Sequence, residues 1–119
     1  MKRILVVEDN EANMYLIGFI LRESKHQVME ARTGEEGVEL SIKEKPDLVI
    51  MDLQLPGIDG LEAIRRIRKS EAGEKLPIII LTSYAMVGDR EKAFSAGCTG
   101  YIEKPINPDT FISEIEKYL

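Results

Sequence analysis

The chain alternates between short runs that are apolar at every position and longer stretches in which apolar residues return every three or four positions. Ile4-Leu5-Val6-Val7, Leu48-Val49-Ile50-Met51 and Ile78-Ile79-Ile80-Leu81 are of the first kind, and Tyr101-Ile102 is a shorter one. Apolar runs of this length, set between helical stretches, read as strands buried on both faces of a parallel sheet. Each stops at polar residues. Glu8-Asp9 follows the first, Asp52 the second and Thr82-Ser83 the third, while Tyr101-Ile102 leads through Glu103 to Lys104-Pro105. Parallel strands point the same way, so these endings meet at one edge, where open α/β sheets bind ligands.

Strands are predicted over residues 3–7, 27–31, 47–51, 77–82 and about 99–102. A helix follows each. Asn10 caps the first, which runs to about Glu23 with Met14, Ile17, Ile20 and Leu21 at helical spacing. Thr33-Gly34-Glu35-Glu36 opens the second, which ends before Pro46. The turn Pro56-Gly57-Ile58-Asp59-Gly60 precedes a third over 61–69, and residues 85–96 form a fourth closed by Gly97. Asn107 caps the last, with Pro108 at its first position and Phe111, Ile112, Ile115 and Leu119 toward the core. Strands and helices in this alternation imply βαβ units, hence an α/β fold: a doubly wound, five-stranded parallel sheet in a (βα)5 three-layer sandwich. The first and third strands are wholly apolar and belong at the centre, and the more polar second belongs outside. That favours the flavodoxin-like order 2-1-3-4-5, which sets Glu8, Asp9 and Asp52 across one crevice.

Composition narrows the function. At 119 residues, 44% hydrophobic and 31% charged, the chain fits one domain (1–119) with a core that needs no staples. The single cysteine, Cys98, excludes an intrachain disulfide and suits a reducing, cytoplasmic compartment. It reads as a small buried hydrophobe, and the lone His26 as a surface residue. No apolar stretch approaches the roughly 20 residues of a membrane span. A net charge of −5 argues against direct nucleic-acid binding. The basic groups Arg65-Arg66 with Arg68-Lys69, and Lys43 with Lys45, read as solvated helix faces.

Three carboxylates within a few ångströms repel, and a bound cation or a retained proton relieves them. Oxygen-only ligands suit a hard ion, and Mg²⁺ needs only one or two carboxylates. The expected ligands are Asp9 and Asp52, Glu8 directly or through water, and the backbone carbonyl of Gln54. With Mg²⁺ and Lys104 present the crevice accepts a dianion, so a carboxylate there can attack phosphorus and form an aspartyl phosphate. Asp52, alone at its strand end, is the expected nucleophile. Lys104 and Thr82 would hold the phosphoryl oxygens. For any one acidic position, helix capping is the plain alternative; Tyr101 reads as core packing or as a moving part.

The motifs Val7-Glu8-Asp9-Asn10, Met51-Asp52-Leu53-Gln54-Leu55-Pro56-Gly57-Ile58-Asp59-Gly60, Leu81-Thr82-Ser83 and Gly100-Tyr101-Ile102-Glu103-Lys104-Pro105 follow in order along the chain. With them the whole chain resembles a response-regulator receiver domain of two-component signalling. The stretches around Ala85-Met86-Val87-Gly88-Asp89 and Gly97-Cys98 look most similar to stand-alone cell-cycle receivers and hybrid-kinase receivers. The resemblance implies phosphoryl transfer to Asp52 from a sensor histidine kinase or histidine phosphotransfer protein. It implies Mg²⁺ on Glu8, Asp9, Asp52 and the Gln54 carbonyl, and Lys104 on the phosphoryl group after a cis bond to Pro105. It also implies movement of Thr82 toward the phosphate while Tyr101 swings inward. Such a chain is no enzyme beyond its own phosphorylation and dephosphorylation. It acts as a monomer or weak dimer on a protein target through its fourth helix, fifth strand and fifth helix.

Ser83 stands where many receivers have alanine, which points to slow reaction with small phosphodonors. Tyr84 is bulky for a position over the phosphoryl group, which points to a longer phosphorylated lifetime. Gly88, placed inside the fourth helix, would soften it by about 1 kcal/mol relative to Ala. Alternatives are a receiver cut from a larger hybrid kinase or DNA-binding regulator, or a small aspartyl-phosphate phosphatase or phosphotransferase. The phosphatase would carry a second acid two residues after the nucleophile, where this chain has Gln54. A flavin or nucleotide carrier would need a phosphate loop where Glu8-Asp9-Asn10-Glu11 stands.

Overall fold

A computed structural model of the chain describes residues 1–83 and 88–119. Strands β1 (Arg3–Val7), β2 (Gln27–Ala31), β3 (Leu48–Asp52), β4 (Ile78–Thr82) and β5 (Gly100–Glu103) alternate with helices α1 (Glu11–Glu23), α2 (Gly34–Glu44), α3 (Gly60–Lys69), α4 (Asp89–Ala96) and α5 (Pro108–Glu116). All strand pairs are parallel, in the order β2-β1-β3-β4-β5, as the polarity of the second strand predicts.

Side chains alternate across a strand, and that alternation builds two cores. Ile4, Val6, Leu48, Ile50, Ile79 and Leu81 face α1 and α5, where they meet Met14, Ile17, Leu21, Phe111 and Ile115. Leu5, Val7, Val49, Met51, Ile78 and Ile80 face the opposite layer, with Ala63, Ile64, Ile67 and Ala93 from α3 and α4. The capping chemistry holds where it is expected. Asn10, Thr33 and Asn107 accept from Asn13, Glu36 and Asp109 N–H, and the side chain of Asp59 does the same for α3, accepting from Glu62. No helix among the described residues is long and apolar enough to cross a membrane.

Three readings change. Gly88 does not lie inside α4; it precedes the helix at φ +91°, a conformation open to glycine, so the helix-interior cost does not apply. The expectations for Tyr84 and for helix at 85–87 lie outside the described residues. His26 is no surface residue: its side chain is 8% exposed. Its Nδ1 accepts from Lys2 N–H, which leaves Nε2–H to donate to Glu116 at 3.0 Å. Arg68 also leaves the solvated face expected of it. It is half-buried and donates to the carbonyls of Gly73, Leu76 and Gly97, whereas Arg65 and Arg66 pair with Glu62 in solvent as the sequence suggests.

Cys98 is buried, and burial pushes its thiol up to about 11. At pH 8 roughly 0.1% is then thiolate, against roughly a quarter for an ordinary cysteine near 8.5. Alkylation of the native chain at that pH is therefore expected to run at least about 100-fold slower than in urea. Thiol counting over time in both solvents checks it; equal rates would show that Cys98 is reached by solvent.

Candidate functional site

Register brings the polar endings together. Val7 lies opposite Met51, so the next residues along, Glu8 and Asp52, emerge side by side at the centre of the sheet. Thr82 lies opposite Glu103, and Lys104 N–H donates to the Thr82 carbonyl at 2.7 Å. The peptide bond between Lys104 and Pro105 is cis.

The side chains of three expected residues meet directly. The Lys104 ammonium donates to Glu8 Oε1 at 2.6 Å and to Asp52 Oδ2 at 3.3 Å. Glu8 is almost completely buried, and its other oxygen accepts from Asn10 N–H, so both of its oxygens are engaged. Asp52 Oδ1 accepts from Gln54 N–H at 3.2 Å. Asp9 is exposed at the rim, and one oxygen from each of Glu8, Asp9 and Asp52 lies within 4.8 Å of the others. Burial raises the Glu8 carboxyl above its ordinary range, Lys104 opposes the rise, and the Asp52 charge adds to it.

An open cleft of about 700 Å³ rises above this cluster, lined by Asp9, Gln54, Asp59, Thr82 and Asp89 among others. Thr82 is buried in its wall. Tyr101 does not line the cleft. It stands on β5 opposite Ile80, packs on the α3–α4 side of the sheet and carries the Arg90 guanidinium 5.8 Å above its ring. Its hydroxyl is buried without a hydrogen-bond partner among the described residues. Strand alternation puts Thr82 on the same side as Ile80 and Tyr101, and Asp52 on the α1–α5 side with Ile50.

The sequence reading missed Asp59 and Asp89 at the rim, and it missed Gly60. A Cβ at Gly60 would meet the Asp52 carbonyl oxygen at 2.5 Å and Leu53 Cα at 2.9 Å, so the start of α3 lies against the backbone that carries Asp52. Its sequence signals are its place in the turn Pro56-Gly57-Ile58-Asp59-Gly60 and at the end of the motif that begins at Met51, neither of which shows the contact with Asp52. Gly60→Ala is expected to destabilise the chain by about 1–3 kcal/mol through overpacking against backbone. It should also weaken divalent-cation affinity, because Asp52 moves. Urea unfolding and Mg²⁺ titration of the variant test both.

The donor set fits a small hard cation. Glu8, Asp9 and Asp52 offer only oxygen atoms, and one from each lies within 4.8 Å of the others, as a hard cation held by carboxylates requires.

Comparison with known proteins agrees. Residues 4–116 match the model of the response regulator receiver domain family, and the chain belongs to that family. The polar-differentiation response regulator DivK of Brucella ovis is 39% identical over 118 residues, covering 99% of this chain and 96% of its own. Among solved structures, the receiver domain of sensor histidine kinase PA1611 from Pseudomonas aeruginosa is 35% identical with a TM-score of 0.92. The match covers 98% of this chain and 96% of that one, and that domain has a magnesium ion coordinated in its active-site cleft. Chemotaxis protein CheY4 of Vibrio cholerae superposes with a TM-score of 0.93 at 25% identity, over 100% of this chain and 99% of that one. The chain is thus a receiver domain of two-component signalling, a family of phosphorylation-dependent switches that bind Mg²⁺ rather than enzymes of the ordinary kind.

Proposed function

We propose that Asp52 takes a phosphoryl group from the phosphohistidine of a sensor histidine kinase or a histidine phosphotransfer protein. One Asp52 oxygen attacks phosphorus and the P–N bond to the donor imidazole breaks. The electron pair stays on the imidazole nitrogen, which takes a proton. Mg²⁺, when bound, supplies positive charge that offsets the carboxylates and the transferring oxygens. Asp9, Asp52 and the Gln54 carbonyl would hold it, with Glu8 acting directly or through water; the two engaged oxygens of Glu8 favour water. Lys104, already within reach of Asp52 Oδ2, would turn to the arriving phosphoryl oxygens, and Thr82 would donate its hydroxyl to them.

Phosphorylation replaces one negative charge on Asp52 with about two and adds strong acceptors. Thr82 and Tyr101 share one side of the sheet with α4, so a shift at Thr82 reaches the α4-β5-α5 surface, where a protein target binds. Residues 1–119 act as one receiver unit, a monomer or weak dimer with no direct contact to nucleic acid or membrane. A reducing, cytoplasmic setting is in keeping with the lone buried Cys98. Autodephosphorylation is the only other reaction at Asp52.

The observation that carries this reading is the Lys104 ammonium bridging two buried acids at the base of the cleft. The test is incubation with an acyl phosphate or phosphoramidate, with and without Mg²⁺, read by intact mass. A phosphoryl increment that needs Mg²⁺ and vanishes in Asp52→Asn is expected; an increment that survives Asp52→Asn moves the acceptor elsewhere.

A further inference from the structure

Helix α4 is held differently at its two ends. Its N-terminal end is at the cleft, where Asp89 lines the wall, and Gly88 before it supplies no side-chain cap. Its C-terminal end is at the far edge of the sheet, and α4 has no basic residue in its own last turn to meet the carbonyls there. Arg68 of α3 takes that role. Nε donates to the Gly97 carbonyl at 2.9 Å, Nη1 to those of Gly73 and Leu76 at 2.7 and 2.5 Å, and Nη2 to Thr99 Oγ1 at 3.3 Å. Thr99 is in turn tied to β4, accepting from Ile78 N–H through Oγ1 and donating its own N–H to the Ile78 carbonyl. No carboxylate pairs with Arg68 among the described residues. Its charge is spent on oxygens of the α3–β4 loop, the α4 terminus and the start of β5. Gly97 leaves room for this, since a Cβ there would stand 3.0 Å from Arg68 Cγ.

We propose that Arg68 is the fixed pivot of α4, a positioning residue that converts a displacement at the cleft end into a tilt of the helix. The inference rests on the phosphorylation reading above. An eight-residue helix is about 12 Å long, so a shift of about 2 Å at Asp89 is a tilt of roughly 10° about Gly97. Residues near the cleft end move most. Arg90, one residue past Asp89, stacks over the rings of Phe94 and Tyr101 at 5.4 and 5.8 Å, so the tilt alters the contact between α4 and β5 while the far end stays put.

The experiment is amide NMR of the full chain before and after phosphoryl uptake from an acyl phosphate with Mg²⁺, with intact mass run alongside. In the parent, shift changes in α4 should be largest at residues 88–92 and fall at least threefold by Gly97–Thr99. In Arg68→Met the fall should disappear, with Gly97–Thr99 moving as much as residues 88–92. A flat or reversed profile in the parent overturns the pivot, as does an unchanged profile in Arg68→Met. A purely structural role would lower the unfolding midpoint and leave the profile intact.

Hydrogen exchange of the unmodified chain is a second arm. Gly97 and Cys98 N–H, both bonded to the Ala93 carbonyl, should exchange at least about tenfold slower than Lys92 N–H, bonded to Gly88. Arg68→Met should remove that difference; if Arg68→Met does not fold, Arg68→Lys should reduce it. Equal exchange at the two ends of the parent overturns the pivot. If intact mass shows no phosphoryl uptake, the phosphorylation reading fails, and the exchange profile still decides the pivot.

Discussion

Lys104→Met is expected to lower the metal-free stability of the chain by about 3 kcal/mol at neutral pH. The ammonium is the cation that two acids share, 2.6 Å from Glu8 and 3.3 Å from Asp52. All three side chains are at least largely buried, at 10%, 2% and 11% exposure. Removing one partner of a buried pair leaves an uncompensated charge, which costs about 3–5 kcal/mol; the open cleft above argues for the lower end. Methionine keeps the length of the stem, so packing loss is small.

The deficit should depend on pH in a definite direction. Burial and the Asp52 charge hold the Glu8 carboxyl above its ordinary 4.5 in the folded chain. A raised value means that the folded state takes up the proton first. Its stabilising contribution is complete below about 4.5 and disappears as pH rises through the folded value. The Lys104 bond, which opposes the rise, is absent in the variant, so its window extends further upward. The stability gap between variant and parent should therefore close as pH is lowered from 7 toward 5, and millimolar Mg²⁺ at pH 7 should recover part of it. Urea unfolding with a chelator, then with Mg²⁺, measures all three. A gap that stays constant with pH and Mg²⁺ would show that packing, not charge, was lost.

Asp52→Asn is expected to act in the opposite sense on the bare fold while abolishing phosphoryl uptake. Asparagine keeps an acceptor for Gln54 N–H and leaves Lys104 with Glu8. It removes one of three mutually repelling acids, so metal-free stability should rise by about 1 kcal/mol, the scale of two like charges about 4 Å apart beside water. Mg²⁺ affinity should fall by at least about tenfold, since an anionic ligand has gone. The unfolding midpoint of parent and variant, followed against Mg²⁺ concentration, should cross: the variant higher without metal, the parent higher with it. Parallel curves would remove Asp52 from the ligand set.

The contrast between these variants reflects what each residue type reveals in a linear chain. Asp52 is conspicuous because it ends a run of four apolar residues. Arg68 is not: it sits among Arg65, Arg66 and Lys69 in a charged helix, and nothing local separates the one that turns inward from those that pair with Glu62 in water. His26 is hidden in the same way. Its partners, Lys2 and Glu116, are 24 and 90 residues away.

The sequence by itself determined the five strands and the edge at which Glu8, Asp9, Asp52, Thr82 and Lys104 gather, and it favoured the strand order that the structure has. A strand buried on both faces must be apolar at every position, and its first polar residue marks where the sheet ends. Only the tertiary structure decided that Lys104 lies between Glu8 and Asp52, that Gly60 presses on the backbone of Asp52, and that Arg68 closes the far end of α4. Those contacts join residues distant in the chain and depend on tenths of an ångström, which composition and periodicity do not encode.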